Sequence, residues 1–386
     1  MTNPEDLKIL PPNPYVFKSK LKRKAMAFID FFGGLIFSPR LKPVDWKEIN
    51  KIAVLRLDHL GDVILAIPFV ERLAQIAPQA QIDFYVGPWA EEVVRLSRLP
   101  VNCRVFKARW FDRAELKSRS KDGISELAKD LSETGYDIAF DLRGDFRHIL
   151  ALWLAKIPIR VGQIITGGQF LLTHPAVYRP ELHEIERNLD LLAITGASIA
   201  RGKYARFYPD ENGLEEAGKI KEKLGLSKPV IVLHATCAAT AKRWSVQNWI
   251  SLIEKLPSHF DLVMIGTENE KTGIEEIAKG SSRQVFLASG LLGISGLAAF
   301  LVESRLFIGV DSGPAHIAAA MGIPVLSLFS GTNRADQWEP RGERVLVIQK
   351  NTPCSPCGRV VCPFANDCMQ RIMVEEVAAS AQKLLS

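Results

Sequence analysis

Short apolar runs recur along this chain, and each is followed by a turn and then by apolar residues at helical spacing. Lys51–Asp58 is one such run, and a helix is predicted after it at Val63–Ile76. Leu306–Val310 is another, followed by a predicted helix that Gly322 closes and by a further strand, Ile323–Phe329. Buried strands that alternate with helices are typical of parallel sheets. The pattern therefore predicts an α/β fold.

The turn after Leu306–Val310 has the features of an anion-binding turn. Pro314 suits the first helical position, and the backbone N–H groups of Ser312, Gly313 and Ala315 are expected at the helix N-terminus, where the helix dipole favours negative charge. Glycine and proline are equally common in turns that bind nothing. This turn alone does not separate a phosphate site from ordinary turn chemistry.

A second turn of the same kind favours the phosphate site. Gly61 and Asp62 follow the strand at Lys51–Asp58, about 250 residues before the first turn. Ligands of open α/β sheets bind beyond the carboxyl ends of the strands. The two turns therefore predict two facing Rossmann-like domains with a cleft between them.

Two cations precede another predicted helix in the second half of the chain. The strand Pro229–His234 is followed by a loop that ends in Lys242 and Arg243, and Ser245 can cap the next helix. Cations near a helix N-terminus are unfavourable unless an anion lies between them and the N–H groups. A nucleotide diphosphate would be such an anion.

Five segments of the chain carry a family resemblance: LDHLGDVILAIPFVERL, YDIAFDLRGDFRH, HEIERNLDLL, AKRW and VDSGPAHIAAAMGIPVLSLF. They resemble glycosyltransferase family 9, the ADP-heptose:lipopolysaccharide heptosyltransferases. The match runs from about Lys51 to the C-terminus. The resemblance implies the GT-B fold, inversion at the sugar carbon, an ADP-sugar donor and a lipid-linked or lipopolysaccharide acceptor. It also implies that catalysis needs no metal or other cofactor.

The resemblance also indicates site residues. A nucleotide-sugar transferase needs a carboxylate that takes the acceptor proton and positive groups that hold the departing diphosphate. Asp62 matches the Gly-Asp pair of the family and is the candidate base, and Asp58 is a rival that periodicity does not exclude. The predicted donor-binding residues are Lys242, similar to the donor-phosphate lysine of the family, Arg243, Glu268, Asp311, Ser312, Gly313 and His316. Glu268 is similar to a ribose-binding acid, and a solvent-facing helix start explains it equally well.

Two arginines follow the predicted strand Tyr136–Asp141. Arg143 and Arg147 lie on its loop and on the next helix, so they are candidates for binding acceptor phosphate or carboxylate. A solvated helix start explains them as well. His183, in the segment HEIERNLDLL, matches a family position, and a hydrogen-bonded structural histidine is the favoured interpretation.

Composition agrees with two domains. The chain has 386 residues, of which 47% are hydrophobic and 24% charged, enough for two separate cores. Its net charge of +6 is small for this length, so no nucleic-acid partner is predicted. The predicted divisions are an N-terminal extension at 1–49, an acceptor domain at 50–200, a donor domain at 201–372 and a C-terminal helix at 373–386.

Positive charge concentrates ahead of one apolar segment. Lys18–Lys24 holds five cations, and Ala25–Phe37 is apolar except for Asp30 and two glycines. This segment begins too late for a signal peptide and is shorter than the roughly 20 residues that span a bilayer. It is predicted either to lie on an anionic membrane surface or to pack on the N-terminal domain. Together with a lipid-embedded acceptor, the first alternative predicts a cytoplasmic protein, peripheral on the inner face of the cytoplasmic membrane.

Four of the six cysteines fall in one short segment: Cys354, Cys357, Cys362 and Cys368. Their spacing suits tetrahedral thiolate ligation, and a cytoplasmic chain is not expected to keep disulfides. A structural zinc or iron site is predicted, with disulfides or unligated thiols as the alternatives.

Three functions stay open at this stage. The first is a heptosyltransferase of lipopolysaccharide core assembly. The second is a family member that uses another nucleotide sugar or a protein acceptor. The third is a non-catalytic or redox module centred on the cysteines, which gives the acids, the cationic loop and the DSGPAH turn no shared purpose.

Overall fold

The computed structural model describes residues 20–36, 42–111 and 123–386. The predicted N-terminal segments are Lys18–Lys24 and Ala25–Phe37. Of these, Lys18, Ser19 and Phe37 lie outside the described residues. Contacts divide the chain into two compact units. The first ends at Lys203, and the second comprises Leu96–Arg98 and Tyr204–Ser386.

Up to Lys203, the described residues form one parallel sheet with flanking helices. The elements are α1 (Lys20–Ile36), β1 (Lys51–Arg56), α2 (Leu60–Ile76), β2 (Gln81–Val86), α3 (Glu91–Ser97), β3 (Asn102–Val105), α4 (Gly123–Thr134), β4 (Ile138–Asp141), α5 (Phe146–Leu154), β5 (Ile159–Ile164), β6 (His174–Val177) and α6 (Glu184–Ala193). The six strands lie in the order β3-β2-β1-β4-β5-β6. In the register, Ile52 of β1 pairs with Ile82 on one side and Ile138 on the other.

The remaining residues form a second parallel sheet of six strands. The elements are α7 (Glu211–Leu224), β7 (Val230–His234), α8 (Val246–Lys255), β8 (Asp261–Met264), α9 (Lys271–Gly280), β9 (Val285–Leu287), α10 (Ile294–Val302), β10 (Leu306–Val310), α11 (Gly313–Ala320), β11 (Val325–Phe329), α12 (Ala335–Trp338), β12 (Val345–Gln349), α13 (Asp367–Gln370) and α14 (Val374–Leu385). The strand order is β12-β11-β10-β7-β8-β9. The predicted α/β class with two Rossmann-like domains is confirmed.

Local signals in the sequence explain several element ends. Ser245 caps α8 by accepting the N–H of Asn248, and Gly322 follows α11 with a left-handed φ of 78°, as predicted. The start of α2 was predicted three residues too late. The helix begins at Leu60, so Gly61 and Asp62 belong to its first turn, where the helix dipole favours a carboxylate.

In both sheets the strand order reverses between two central strands. These pairs are β1 and β4 in the first sheet and β7 and β10 in the second. Ligands of open α/β sheets bind beyond the carboxyl ends of the strands at such switch points. Asp58 and Arg143 follow the first pair of strands, and Thr236 and Asp311 follow the second. The sequence motifs therefore lie at the two switch points.

The N-terminal helix α1 packs on the first unit. Its contacts are with the loop around a short 3₁₀ turn at Gln169–Leu171. This agrees with the predicted alternative of a packed helix, and the membrane alternative stays a prediction. Within the described ranges, every helix is too short or too polar to cross a bilayer.

Candidate active site

Arg56, at the end of β1, is buried and binds three carboxylates. Its Nε donates to Asp58 Oδ1 at 2.8 Å, its Nη2 to Asp62 Oδ1 at 2.8 Å, and its Nη1 to Glu184 Oε1 at 2.6 Å. Nη1 also donates to the carbonyl of Leu142 at 3.1 Å. A buried guanidinium is tolerated when it is paired and hydrogen-bonded, as it is here. Arg56 therefore fixes Asp62 relative to two other acids.

Asp58 and Asp62, the two candidate bases, have different surroundings. Asp58 is fully buried, and its Oδ2 accepts a hydrogen bond from Arg143 Nη1 at 2.6 Å. Burial alone would raise the pKa of Asp58, but Arg56 and Arg143 outweigh it and hold that pKa below its usual value. The side chain of Asp62 is 11% exposed, and its Oδ2 accepts no hydrogen bond from the described residues. Of the two acids, only Asp62 has exposed side-chain surface.

Arg143 and Arg147 both lie over the ring of Phe111. Their guanidinium carbons are 5.0 and 5.5 Å from the ring centroid. Arg147 also pairs with Asp145 at 2.6 Å, and the Asp145 side chain caps α5. More than a third of each arginine side chain stays exposed. The two predicted acceptor-binding cations thus lie on one aromatic side chain, and Arg143 also binds Asp58.

Lys242 ends a 3₁₀ turn at Thr240–Lys242 and lies beside the turn that follows β10. Its Nζ is 2.5 Å from Asp311 Oδ2, which also accepts a hydrogen bond from Asn333 Nδ2 at 3.2 Å. Lys242 and Asp311 are 69 residues apart in the chain. The fold therefore joins the cationic loop to the DSGPAH turn.

Arg243 has a different environment from Lys242. Its Nε and Nη2 donate to the carbonyl of Cys237 at 3.0 and 2.9 Å. This guanidinium is engaged with its own loop. In the structure it stabilises the loop that carries Lys242.

The start of α11 holds the remaining predicted donor residues. Ser312 Oγ donates to the carbonyl of Val310 at 3.0 Å and hydrogen-bonds with His234 Nδ1 at 3.1 Å. Burial lowers the pKa of His234 to about 4, so its ring is neutral near pH 7. Gly313 is the first helical residue, and His316 is buried in the same turn.

One expectation for this turn is wrong. The N–H of Ala315 donates to the carbonyl of Ser312 at 3.2 Å, because the first helical turn closes there. Ser312 and Gly313 stay candidate donors to an anion. Glu268 follows β8, the strand that pairs with β7 on the side opposite β10. Its side chain is exposed, and its Oε1 lies 3.3 Å from Lys271 Nζ.

The loop that carries Lys242 is held by a segment near the C-terminus. Asn366 Nδ2 donates to the carbonyl of Thr240 at 2.7 Å, at the start of the 3₁₀ turn, and to that of Arg243 at 3.0 Å, directly after it. The N–H of Ala241 also donates to the carbonyl of Val360 at 3.0 Å. Asn366 has a left-handed backbone, with φ 56°, which asparagine tolerates better than most residues.

The cysteine segment lines a cavity of about 500 Å³ with Cys354, Cys357, Cys362 and Cys368 on its wall. Over the described residues, no group of three or more His, Cys, Asp or Glu side chains is arranged to hold a metal ion. The thiols instead have separate partners: Cys368 Sγ accepts the N–H of Gly331 at 3.1 Å, and Cys362 Sγ that of Phe364 at 3.4 Å. The structure does not support the predicted zinc or iron site. The six cysteines are unpaired thiols, which was one of the alternatives.

Comparison with known proteins gives the family. The model of glycosyltransferase family 9 (heptosyltransferase) matches residues 124–367. The chain belongs to glycosyltransferase family 9. It is therefore a glycosyltransferase, as predicted.

Relatives within family 9 are distant in sequence and close in fold. Lipopolysaccharide heptosyltransferase 1 of Pseudomonas aeruginosa is 25% identical over 335 residues, which cover 81% of this chain and 88% of that protein. The crystal structure of a family 9 glycosyltransferase from Veillonella parvula has a TM-score of 0.77 at 20% identity and covers 90% of this chain and 99% of that one. Escherichia coli heptosyltransferase WaaC with ADP-2-deoxy-2-fluoro heptose has a TM-score of 0.63 at 17% identity, over 86% and 99%. The structures show that this member has the fold of those enzymes.

Sequence reasoning missed five residues that organise the candidate site. They are Arg56, Glu184, His234, Asn333 and Asn366. An arginine inside the apolar strand KIAVLRLD is a signal that could have indicated a buried ion pair. The contacts that place the other four in the site join residues far apart along the chain, so no local pattern indicates them.

Proposed function

We propose that this protein transfers a heptose from ADP-heptose to an acceptor in the lipopolysaccharide core, with inversion at the anomeric carbon. The main support is the pair of switch points. One has an accessible carboxylate, Asp62, held by a buried arginine, and the other has the ammonium of Lys242 beside a helix N-terminus. The names of the relatives, lipopolysaccharide heptosyltransferases, supply the sugar and the acceptor class.

In the proposed reaction Asp62 is the general base. Its Oδ2 takes the proton of the acceptor hydroxyl, and the hydroxyl oxygen forms a bond to the anomeric carbon from the face opposite the diphosphate. The bond between that carbon and the diphosphate oxygen breaks, and its electron pair leaves with ADP. Arg56 keeps Asp62 in place through Oδ1, which leaves Oδ2 for the proton.

The donor diphosphate is assigned to Lys242 and the start of α11. Negative charge grows on the leaving group, and the Lys242 ammonium with the N–H groups of Ser312 and Gly313 can stabilise it. These positive groups do the work for which other transferases use a metal, so we propose chemistry without a cofactor. Asp311 orients Lys242, and His316 is a further candidate for phosphate contact.

The nucleoside is assigned to the loop that follows the carboxyl end of β8. Glu268 has an exposed carboxylate there and can accept hydrogen bonds from ribose hydroxyls. Arg243 supports the donor site indirectly, since it binds the carbonyl of Cys237 in the loop before Lys242.

Arg143 and Arg147 are assigned to the acceptor. Both guanidinium groups have exposed surface, and Arg143 donates to Asp58 of the Asp58–Arg56–Asp62 network. Two adjacent guanidinium groups suit phosphate or carboxylate on a core sugar. Because the proposed acceptor is anchored in lipid, we propose that the protein acts in the cytoplasm, at the inner face of the membrane.

The donor is tested by thermal shift and then by transfer. ADP and ADP-heptose are expected to raise the unfolding temperature, whereas UDP and GDP at the same concentration are not. Transfer to a heptose-deficient lipopolysaccharide core, followed by mass spectrometry, should add one heptose. A shift with UDP or GDP alone would instead support a family 9 enzyme with another nucleotide sugar. A shift with ADP but no transfer to this acceptor would contradict the proposed acceptor.

A further inference from the structure

The helix α1 uses one of its faces to dock on the first unit. Asp30 is buried, and its Oδ1 accepts the N–H of Gly168 at 2.8 Å. Met26 lies against the same loop, and Gly33 lies so close to Phe170 that a Cβ there would be 2.4 Å from the ring. Positions 26, 30 and 33 share one helical face. The contacts of this face with the loop around Gly168 account for its residues.

The opposite face of α1 is apolar and exposed. Phe28, Phe31 and Leu35 are 65%, 64% and 69% exposed. Phe32 joins the aromatic rings, with centroids 4.5 Å from Phe28 and 5.4 Å from Phe31. A contiguous cluster of large exposed apolar side chains marks an interaction surface.

Charge indicates what this surface binds. In the sequence, the five cations of Lys18–Lys24 come shortly before Phe28, and Lys24 is exposed about one helical turn before it. Basic residues beside exposed aromatic side chains are what interfacial helices use on anionic lipid. We propose that the exposed apolar face of α1 docks on an anionic lipid bilayer. It would hold the proposed acceptor-binding residues, Arg143 and Arg147, at that surface.

Hydrogen bonds connect the docked face of α1 to the acceptor side. Thr166 lies two residues before Gly168, and its N–H and Oγ1 both donate to the carbonyl of Gly144 at 3.1 Å. Thr166 Oγ1 also accepts the N–H of Phe146, the first residue of α5, at 2.7 Å. Arg147 follows directly. The path from Asp30 to Arg147 is therefore a short series of hydrogen bonds between side chains and backbone, and its use for a lipid-anchored acceptor rests on the proposed function.

The surface is tested with vesicles alone, without nucleotide or acceptor. The full chain should sediment with phosphatidylglycerol–phosphatidylethanolamine vesicles at least tenfold more strongly than with phosphatidylcholine vesicles, and high salt should weaken the binding. The triple variant F28S/F31S/L35S should lose at least tenfold of that binding. The matched control L214S/V302S removes two exposed apolar residues of α7 and α10 and should change nothing. Unfolding temperature and ADP binding of each variant check that the fold is intact.

Two results would overturn the docking surface. The first is a failure of the vesicle test, either as equal binding by the triple variant and the parent chain or as no binding by the parent. The second is a dimer, seen by sedimentation without vesicles, that the triple variant abolishes, because a second copy would then cover this face. Neither result depends on the proposed transfer reaction.

The connection to the acceptor side is tested at Asp30. Asp30→Leu removes the acceptor for the Gly168 N–H and should still bind vesicles, but lower transfer to a vesicle-embedded acceptor at least fivefold. Transfer to a water-soluble core fragment should stay as in the parent. Asp30→Asn keeps an oxygen at Oδ1 and should restore the rate on vesicles. Equal rates of Asp30→Leu and the parent on vesicles would refute the connection, whereas no transfer by the parent to either acceptor would refute the proposed function and leave the vesicle result standing.

Discussion

Asp58 and Asp62 share Arg56, and their difference in burial supports the different roles proposed for them. Asp58 is enclosed and bound by two arginines, so it is part of a buried ion-pair network. Asp62 binds the same guanidinium through one oxygen and keeps exposed surface. A general base has to be reached by the substrate hydroxyl. This favours Asp62 and assigns Asp58 to holding Arg143.

Asp62→Asn is expected to keep ADP binding and lose turnover. The amide oxygen can still accept from Arg56, but an amide takes no proton, so kcat should fall by about 10²–10⁴-fold. Steady-state kinetics and ADP titration measure the two effects. Asp58→Asn should mainly lower stability, by about 3–5 kcal/mol in urea unfolding, because it breaks a buried ion pair. A stable, inactive Asp58→Asn beside an active Asp62→Asn would reverse the assignment.

Lys242→Ala is expected to weaken ADP binding by about 1.5–3 kcal/mol, the range for a lost charged hydrogen bond. Isothermal titration with ADP measures it. Lys255→Ala is the matched control, since it removes a lysine of the same unit that pairs with Glu375 on the surface. Equal ADP affinity in Lys242→Ala and Lys255→Ala would remove Lys242 from the donor site.

At the scale of elements, the loop after β7 depends on a segment more than a hundred residues away. Asn366, at the start of α13, binds the first residue of the 3₁₀ turn that carries Lys242 and the residue directly after that turn. A 3₁₀ turn of three residues has little stability of its own. The position of the Lys242 ammonium is therefore set in part by the C-terminal segment.

Asn366→Gly should lower ADP affinity roughly three- to tenfold, in keeping with about 1 kcal/mol for a hydrogen bond. Glycine keeps the left-handed backbone, so the change isolates the side-chain amide. Ala365→Gly is the control, because Ala365 also has a positive φ and glycine there removes only a methyl group. ADP titration of both variants is the measurement. Full affinity in Asn366→Gly would show that the loop holds Lys242 without this contact.

At the scale of the whole molecule, each unit has its own parallel sheet and its own buried core. In the second unit, α14 contributes Val377, Ala381 and Leu384 to the core around Trp249. Two separate cores allow one unit to bind a ligand without a change in the stability of the other. The proposed donor residues all belong to the second unit.

ADP is therefore expected to slow amide hydrogen exchange in the second unit. Peptides that cover 234–243 and 311–320 should be protected, and peptides that cover 52–64 and 138–150 should change little. Hydrogen exchange with mass spectrometry, with and without saturating ADP, gives the comparison. Protection confined to the first unit would contradict the assignment of the donor site.

The sequence by itself determined the elements and the chemistry at their ends. Apolar runs, glycine turns and caps are local, so Leu306–Val310 and the cap at Ser245 could be predicted from neighbouring residues. Only the tertiary structure decided which distant side chains meet. It distinguished Asp62 from Asp58 by burying Asp58 completely and leaving Asp62 partly exposed, and it placed the four cysteines along a cavity wall although their spacing suits a metal. It also gave α1 one docked and one exposed face. The physical reason is the same in each case: burial and pairing depend on packing between segments that lie far apart in the sequence.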